Sequence, residues 1–340
     1  MPFPTPTQFL GGGKVKVFHV DLSTYDDALS PRLANSATPS AKAMVCMIDR
    51  PEVKNAVDRE TATALHSAFV SCANDPNLRV AILTGSNGTF CAGADLKFIS
   101  QSSLMSDQGV QEAKSNLLDS NMDAIAPMGL TRLAMNKPVI AAVDGFAVAG
   151  GMELALWADL RVASSDSAFG ILCRLRGVPL IDGGTVRLPA LVGGSRAADL
   201  ALTGRLVNAT EAHSIGLVNY VVPSVSRGPR AVGSGFSAVV EKSLRIAANL
   251  AANPQTCMLN DRSSMLNALY PGEADREGEW TGGGVDLRLK GGLRKAMEIE
   301  FELGLQSLAK LAEEGQVGAF VNRSKQQRET DRAKSRASNL

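Results

Sequence analysis

The chain is poor in the residues that build metal sites and disulfide frameworks. Its 340 residues include only three histidines, His19, His66 and His213, each far from the others, so a histidine-based metal cluster is not expected. Cys46, Cys72, Cys91, Cys173 and Cys257 are odd in number and contain no C-x-x-C pair. They read as free thiols in a reducing compartment, with no zinc site. The formal net charge is +1, which gives no bulk attraction to nucleic acid or to an anionic membrane. No apolar run approaches the roughly 18–20 uncharged residues of a membrane span. The longest candidate, Val139 to Val162, is interrupted by Asp144, Glu153, Asp159 and Arg161.

No targeting signal is expected at either end of the sequence. The first 13 residues hold no basic side chain, unlike a secretory signal or a mitochondrial presequence. The last three, Ser338-Asn339-Leu340, lack the central positive charge of the peroxisomal Ser-Lys-Leu address. The expected location is cytoplasmic, with a peroxisome-like organelle or the mitochondrion as alternatives. No G-x-x-x-x-G-K-[ST] and no strand-linked G-x-G-x-x-G occurs, which removes the usual phosphate-loop and dinucleotide signals.

What is present is an ordinary globular composition, 45% apolar and 20% charged, long enough for a sizeable core. Apolar runs rich in β-branched residues predict strands at Val15 to Val20, Ala43 to Ile48, Val80 to Thr84, Val139 to Val143, Ala168-Phe169 and Leu217 to Val222. Between them, Ala62, Leu65, Phe69 and Cys72 recur at helical steps behind Asp58, a suitable N-cap. Helices are also predicted over 105–136, from Gly184 to Leu191, from Ser195 to Leu202, and over 237–252, 256–269 and 293–327. The alternation argues an α/β core with crossover helices. Residues 1–13 are expected to be mobile. Residues 21–42 and 223–236 break the pattern as inserted loops, and 328–340 form a polar tail.

Two glycine-rich turns carry the chemistry. Val139 to Val143 leads through Asp144-Gly145 to Gly150-Gly151, which opens an apolar helical segment. Val80 to Thr84 leads through Ser86-Asn87-Gly88 to Cys91-Ala92-Gly93-Ala94-Asp95-Leu96. Glycines at a helix start leave backbone N–H groups uncovered, and such groups suit a negative oxygen. Two turns, each supplying one N–H to a single oxygen, stabilise it most when it carries charge. Glu153 follows one turn directly, a carboxylate in an otherwise apolar helix. Its bland reading is a favourable interaction with the helix dipole, worth about 0.3–1 kcal/mol.

Phe90-Cys91-Ala92-Gly93-Ala94-Asp95-Leu96, with Asp144-Gly145 and Gly150-Gly151-Met152-Glu153, resembles the two signature segments of the crotonase (enoyl-CoA hydratase/isomerase) superfamily. The similarity runs from about Val15 to Lys325. It takes in Asp49 to Ala56, Gly183-Gly184-Thr185, Leu202-Thr203-Gly204, Ala212 to Val222 and Ala319 to Arg323. The resemblance implies a spiral of β-β-α units over 14–222, then a C-terminal helical trimerisation region over 237–327, in a homotrimer or a hexamer made of two trimers. It implies an acyl-CoA thioester as substrate, with coenzyme A part of that substrate and no separate cofactor; the near-neutral charge and the lack of a long apolar run lead us to expect no nucleic-acid or membrane partner.

By the same resemblance, Ala94 and Gly150 supply the oxyanion-hole amides and Glu153 activates water. Lys54, Ala56, Ala92, Asp95, Leu96, Lys97, Gly151 and Cys173 fall on segments that line the substrate. Phe320, Arg323 and Lys325 fall in a basic tail that reaches a neighbouring subunit's nucleotide. The bland reading of any one of these lysines is a solvated charge. Cys173 stands where many hydratases carry a second glutamate, and a thiol with an ordinary pKa near 8.5 replaces a carboxylic acid poorly. Cys173 itself reads as a small buried residue. Asp182 lies where some related isomerases carry their carboxylate; its other reading is an N-cap for the next helix. Arg174 and Arg176 are candidates to pair with it. The expectation is an enoyl-CoA hydratase. The alternatives are a 3-to-2-enoyl-CoA isomerase using Asp182 as base, and a catalytically degraded acyl-CoA binder.

Overall fold

The computed structural model describes residues 4–25, 41–95, 119–224, 235–270 and 285–313. Along the chain, β1 is Gln8–Leu10, β2 Val15–Asp21, β3 Lys42–Ile48, α1 Arg59–Asn74 and β4 Leu78–Gly85. Then follow β5 Val139–Val143, β6 Phe146–Val148, α2 Gly150–Trp157, β7 Leu160–Ser164 and β8 Ala168–Gly170. The second half holds α3 Gly184–Val192, α4 Gly194–Thr203, β9 Val207–Asn208, α5 Ala209–Ser214, β10 Tyr220–Val222, α6 Ala238–Ala252, α7 Gln255–Leu269 and α8 Gly291–Glu313.

The larger sheet runs β1-β2-β3-β4-β5-β7-β10. The β1-β2 and β2-β3 pairs are antiparallel; the pairs from β3 to β10 are parallel. Successive residues of its strands feed two different cores. Met44, Cys46, Ala81, Leu83, Val139, Ala141 and Val143 face α1 and α2. Val45, Met47, Val80, Ile82, Ile140, Ala142 and Val162 face α6 through Val239, Val240, Leu244 and Ala247. Burial on both faces is why these strands read as unbroken apolar runs. It also makes α6 part of the core, so the division drawn at residue 222 does not follow the packing.

The β6-β8-β9 sheet is smaller, with β6 and β8 parallel and β8 and β9 antiparallel. It delivers the chain from β6 straight into α2. Residues Gly150 to Leu156 of α2 are all buried, as expected of a helix that is apolar on every side. Its end is fixed by Trp157, whose Nε1 donates to the Leu133 carbonyl at 2.8 Å and whose ring stacks edge-on against Phe69. The buried Arg161 guanidinium donates to the last helix carbonyls, including Ala158 at 2.6 Å, a C-terminal cap by a cation.

Three sequence expectations change. Residues 8–10 are not a free end: Thr7 N donates to Val17 O at 2.7 Å and β1 pairs with β2. The helix expected over 105–136 is absent from its described part, 119–136, which is a series of turns. Pro127 and the positive φ of Gly129 (84°) break the helical path, and residues 126–133 are buried without interruption. The strand expected from Leu217 starts only at Tyr220. Most of the two inserted loops, 26–40 and 225–234, and the tail from 314 lie outside the described residues.

Candidate active site

The two glycine turns meet. Cys91 N donates to Phe146 O at 3.0 Å and Val148 N to Cys91 O at 3.1 Å, so the Cys91 loop pairs with β6 like an extra strand. The contact admits no side chains. A Cβ at Gly151 would lie 2.1 Å from the Cys91 carbonyl, and one at Gly93 would lie 3.0 Å from the Gly150 amide nitrogen. A non-glycine residue at positive φ, Ala149 (54°), turns the chain into α2. Gly93 O accepts from Val57 N at 2.8 Å, which fixes the next peptide, that of Ala94. Among the described residues, the amides of Ala94 and Gly150 donate to no acceptor. Met128 Sδ covers Gly150, 2.6 Å from where a Cβ would sit.

A buried side-chain frame holds the first turn. Asn55, at φ 56°, receives Arg50 N on Oδ1 at 2.9 Å and donates Nδ2 to Ser86 O and Thr89 O at 2.9 and 2.6 Å. The Arg50 guanidinium meets the Ala56 carbonyl and reaches both Asp95 and Asp58 at 3.1 Å. Asp58 in turn caps α1 by accepting from Thr61 N at 2.8 Å, as its sequence position predicted.

Behind the second turn is a cluster of buried acids. Glu153, 3% exposed, accepts on Oε1 from Asp182 N at 3.0 Å and Gly184 N at 2.9 Å. Burial first, then the charges of Asp182 and Glu300, hold its carboxyl well above the ordinary range, against the pull of those two amides. Asp182 accepts on Oδ1 from Thr131 Oγ1 at 2.5 Å and Met128 N at 3.2 Å. Burial pushes it up to about 6, opposed by these hydrogen bonds and by the charge of Arg132. Glu300, from α8, accepts from Gly183 N on one oxygen and from Thr185 N (2.7 Å) and Oγ1 (2.6 Å) on the other. Two buried cations attend the three acids. Arg187 donates to the carbonyls of Asp182 (3.1 Å) and Thr131 (2.7 Å). Arg132 donates to the carbonyls of Asp119 and Asn121 and lies 4.8 Å over the Phe301 ring. Among the described residues, no group of three acids, cysteines or histidines has a metal-holding arrangement.

The structure thus brings together Ala94, Gly150, Gly151, Glu153, Cys173 and Asp182, with Ala92 alongside. Ala92 N donates to the carbonyl of Lys54, whose side chain is exposed. Two readings are corrected. Asp182 is not the N-cap of α3; Gly183 holds that position at φ 90° without a side-chain cap, because Glu153 and Glu300 already take the first amides. Arg174 and Arg176 are exposed, and the guanidinium that acts on Asp182 is Arg132. Asp95 is buried and ion-paired with Arg50, and Ala56 is buried with its carbonyl on the same guanidinium; both shape the loop. Cys173 is 7% exposed, and burial together with the charge of Glu153 keeps its thiol protonated. Leu96, Lys97, Phe320, Arg323 and Lys325 lie outside the described residues. The sequence reading missed Glu300, Thr131, Arg132, Arg187 and Met128. No local motif marks any of them.

Two glycine turns in close contact lie beside a buried carboxylate, on a sheet whose side sheet feeds the helix. A family model described as enoyl-CoA hydratase/isomerase matches residues 40–257, and the chain belongs to that family, the crotonases. A mevalonyl-coenzyme A hydratase of Beauveria bassiana is 34% identical over 233 residues, 68% of this chain and 78% of that protein. A crotonyl-CoA hydratase of Syntrophomonas wolfei is 39% identical over 182 residues, 53% of this chain and 66% of that one. Among solved structures, a carnitinyl-CoA hydratase from Mycobacterium avium superposes with a TM-score of 0.61 at 28% identity, covering 83% of this chain and 92% of the other.

Proposed function

We propose that the protein adds water to a 2-trans-enoyl-CoA to give the 3-hydroxyacyl-CoA. The observation that carries this reading is the contact of the Gly93 turn with the Gly150-Gly151 turn, beside the buried Glu153 that accepts from the Asp182 amide. The thioester oxygen accepts from the Ala94 and Gly150 amides, which stabilise it most as C2 becomes an enolate carbon. The ionised member of the Glu153–Asp182 pair takes a proton from water as its oxygen bonds to C3. The protonated member delivers a proton to C2. One water is consumed, the pair keeps its total charge, and no oxidation occurs, so the reaction calls for no redox cofactor. Coenzyme A arrives as part of the substrate.

Asp182 fills the place of the second acid that Cys173 leaves open. A carboxyl held near 6 is present in both protonation states near neutral pH, the condition for efficient proton transfer. The hydratase and dehydratase names of the relatives support the same reaction type. The position of Asp182 also favours a second reading, 3-to-2-enoyl-CoA isomerisation with Asp182 as the base that carries a proton between C4 and C2. Side-by-side turnover of 2-enoyl-CoA and 3-enoyl-CoA separates the two. Rapid use of the 3-enoyl ester, lost in Asp182→Ala and kept in Glu153→Gln, would reverse the order. Tight ester binding with no turnover of either would reduce the chain to an acyl-CoA binder.

A homotrimer, or a hexamer of two trimers, is part of this reading. None of the residues of α7 is buried, and Met265 and Leu269 of α7 with Ile299 and Leu303 of α8 are exposed, which suits burial against further copies. The net charge of +1 supports no nucleic-acid partner. No helix among the described residues is long and apolar enough to cross a membrane. A cytoplasmic location completes the reading, although one human relative is named as mitochondrial.

A further inference from the structure

The amides at the start of α3 are divided between two acids in strict alternation. Glu153 takes those of Asp182 and Gly184. Glu300 takes those of Gly183 and Thr185, with the Thr185 hydroxyl as well. Both Glu300 oxygens accept, the bonding of an ionised carboxylate. Glu300 reaches this point from a helix 117 residues further along the chain, beside Met297 and Phe301, which pack under the loop residue Met122. A helix start offers several orphan N–H groups and favours negative charge. Without Glu300, nothing else described would occupy the second pair of amides.

The charges do not balance. Glu153, Asp182 and Glu300 are 3%, 3% and 5% exposed, and the guanidiniums buried with them are Arg132 and Arg187, at 4% and 5%. Tyr270 and Cys173 also face the group, and burial raises the pKa of both, so they are neutral. Three buried acids against two buried cations retain a proton rather than bury a net charge. With Glu300 committed to amides and a hydroxyl, that proton belongs to the other two acids.

We propose that Glu300 is a positioning residue of the site: it anchors the start of α3 so that Glu153 is held by the alternate amides, and its charge keeps one proton on the Glu153–Asp182 pair. It acts through those two groups and rests on the acid–base pair proposed above. Like charge raises the proton affinity of a neighbouring acid, and removing it lowers that affinity. The alkaline limb of kcat, where the pair loses its shared proton, therefore moves to lower pH in Glu300→Gln.

The test is the pH profile of kcat on a short 2-enoyl-CoA for wild type, Glu300→Gln and Glu300→Asp. Glu300→Gln is expected to move the alkaline limb down by on the order of one pH unit, with KM changed by less than about threefold. Glu300→Asp keeps the charge and leaves the limb in place while lowering kcat. A purely structural Glu300 would lower thermal stability in both variants and move the limb in neither, and that result overturns the proposal. A second measurement needs neither variant to fold nor any substrate. The infrared spectrum of wild type at neutral pH, against the Glu153→Gln/Asp182→Asn double variant, is expected to show one additional protonated carboxyl. Its absence overturns the shared proton even if hydration is fast; its presence without turnover of any enoyl ester would instead remove the hydratase reading.

Discussion

Asp182 gives its backbone amide to the carboxylate of Glu153 at 3.0 Å while its own carboxylate turns the other way, to Thr131 Oγ1 and Met128 N. One residue thus orients one acid and supplies another, and the second acid sits beside Met128, which covers Gly150. On the proposed reading, the arrangement lets a crotonase site keep two proton-carrying groups when the position of a second glutamate holds a buried thiol.

Asp182→Asn separates the two duties. The asparagine oxygen accepts the same two hydrogen bonds and the backbone amide is untouched, so the fold is retained. Hydration is expected to fall by about 10²–10⁴. The pKa of Asp182 is raised in the folded chain, so the folded protein binds more protons there than the unfolded one, and the contribution of Asp182 to stability falls as pH rises from near 4 to about 6 and then levels. A shift of that size corresponds to roughly 3 kcal/mol. Denaturant melts from pH 4 to 8 should show a steeper slope in wild type than in Asp182→Asn, where the raised Glu153 still contributes, and Asp182→Asn is the more stable of the two above pH 7.

The contact between the turns is tested by two alanines. At Gly151 the new methyl would lie 2.1 Å from the Cys91 carbonyl, a backbone atom that cannot yield without separating the turns. At Gly150 it would meet the Met128 side chain at 2.6 Å, which can rotate away. Gly151→Ala should cost more than about 10² in kcat, the scale of losing an oxyanion donor. Gly150→Ala should cost distinctly less, as steady-state kinetics on the two variants will report.

Cys173 is a filler and not an acid. Burial keeps its thiol neutral, and Cys173→Ala removes one small apolar contact. Activity should stay within about threefold of wild type and stability should fall by about 1 kcal/mol. A loss of activity as large as that of Asp182→Asn would assign the thiol a proton-transfer role.

Arg50 is the hub of the first turn. Its removal leaves Asp95 and Asp58 buried at 7% and 3% exposure without their shared cation. Breaking a buried pair in this way costs about 3–5 kcal/mol, so Arg50→Ala should unfold at clearly lower denaturant than wild type. Lys14 still reaches Asp58 at 2.8 Å, and this limits the loss on that side.

Much of the frame was legible in the sequence because the strands are buried on both faces: Ala43 to Ile48, Val80 to Thr84 and Val139 to Val143 each stand out as β-branched or apolar runs. The two turns were legible because close backbone contact demands small residues, and Gly93, Gly150 and Gly151 record that demand. Three-residue β6 was not, since so short a strand has no periodicity to detect. The stretch from 119 to 136 misled because its apolar content is high and its spacing irregular. Glu300 could not be found from sequence at all. A glutamate in an amphipathic helix between Glu298 and Glu302 looks like a solvated charge, and only the fold brings it to Gly183 and Thr185.

Glu153→Gln tests the central claim most directly. The glutamine oxygen still accepts from Asp182 N and Gly184 N, so the site keeps its shape while losing a proton-carrying group. Loss of the conjugated enoyl thioester absorbance, followed with a short 2-trans-enoyl-CoA, should be rapid in wild type and slower by about 10²–10⁴ in Glu153→Gln, with KM little changed. Equal rates in the two proteins would contradict the account.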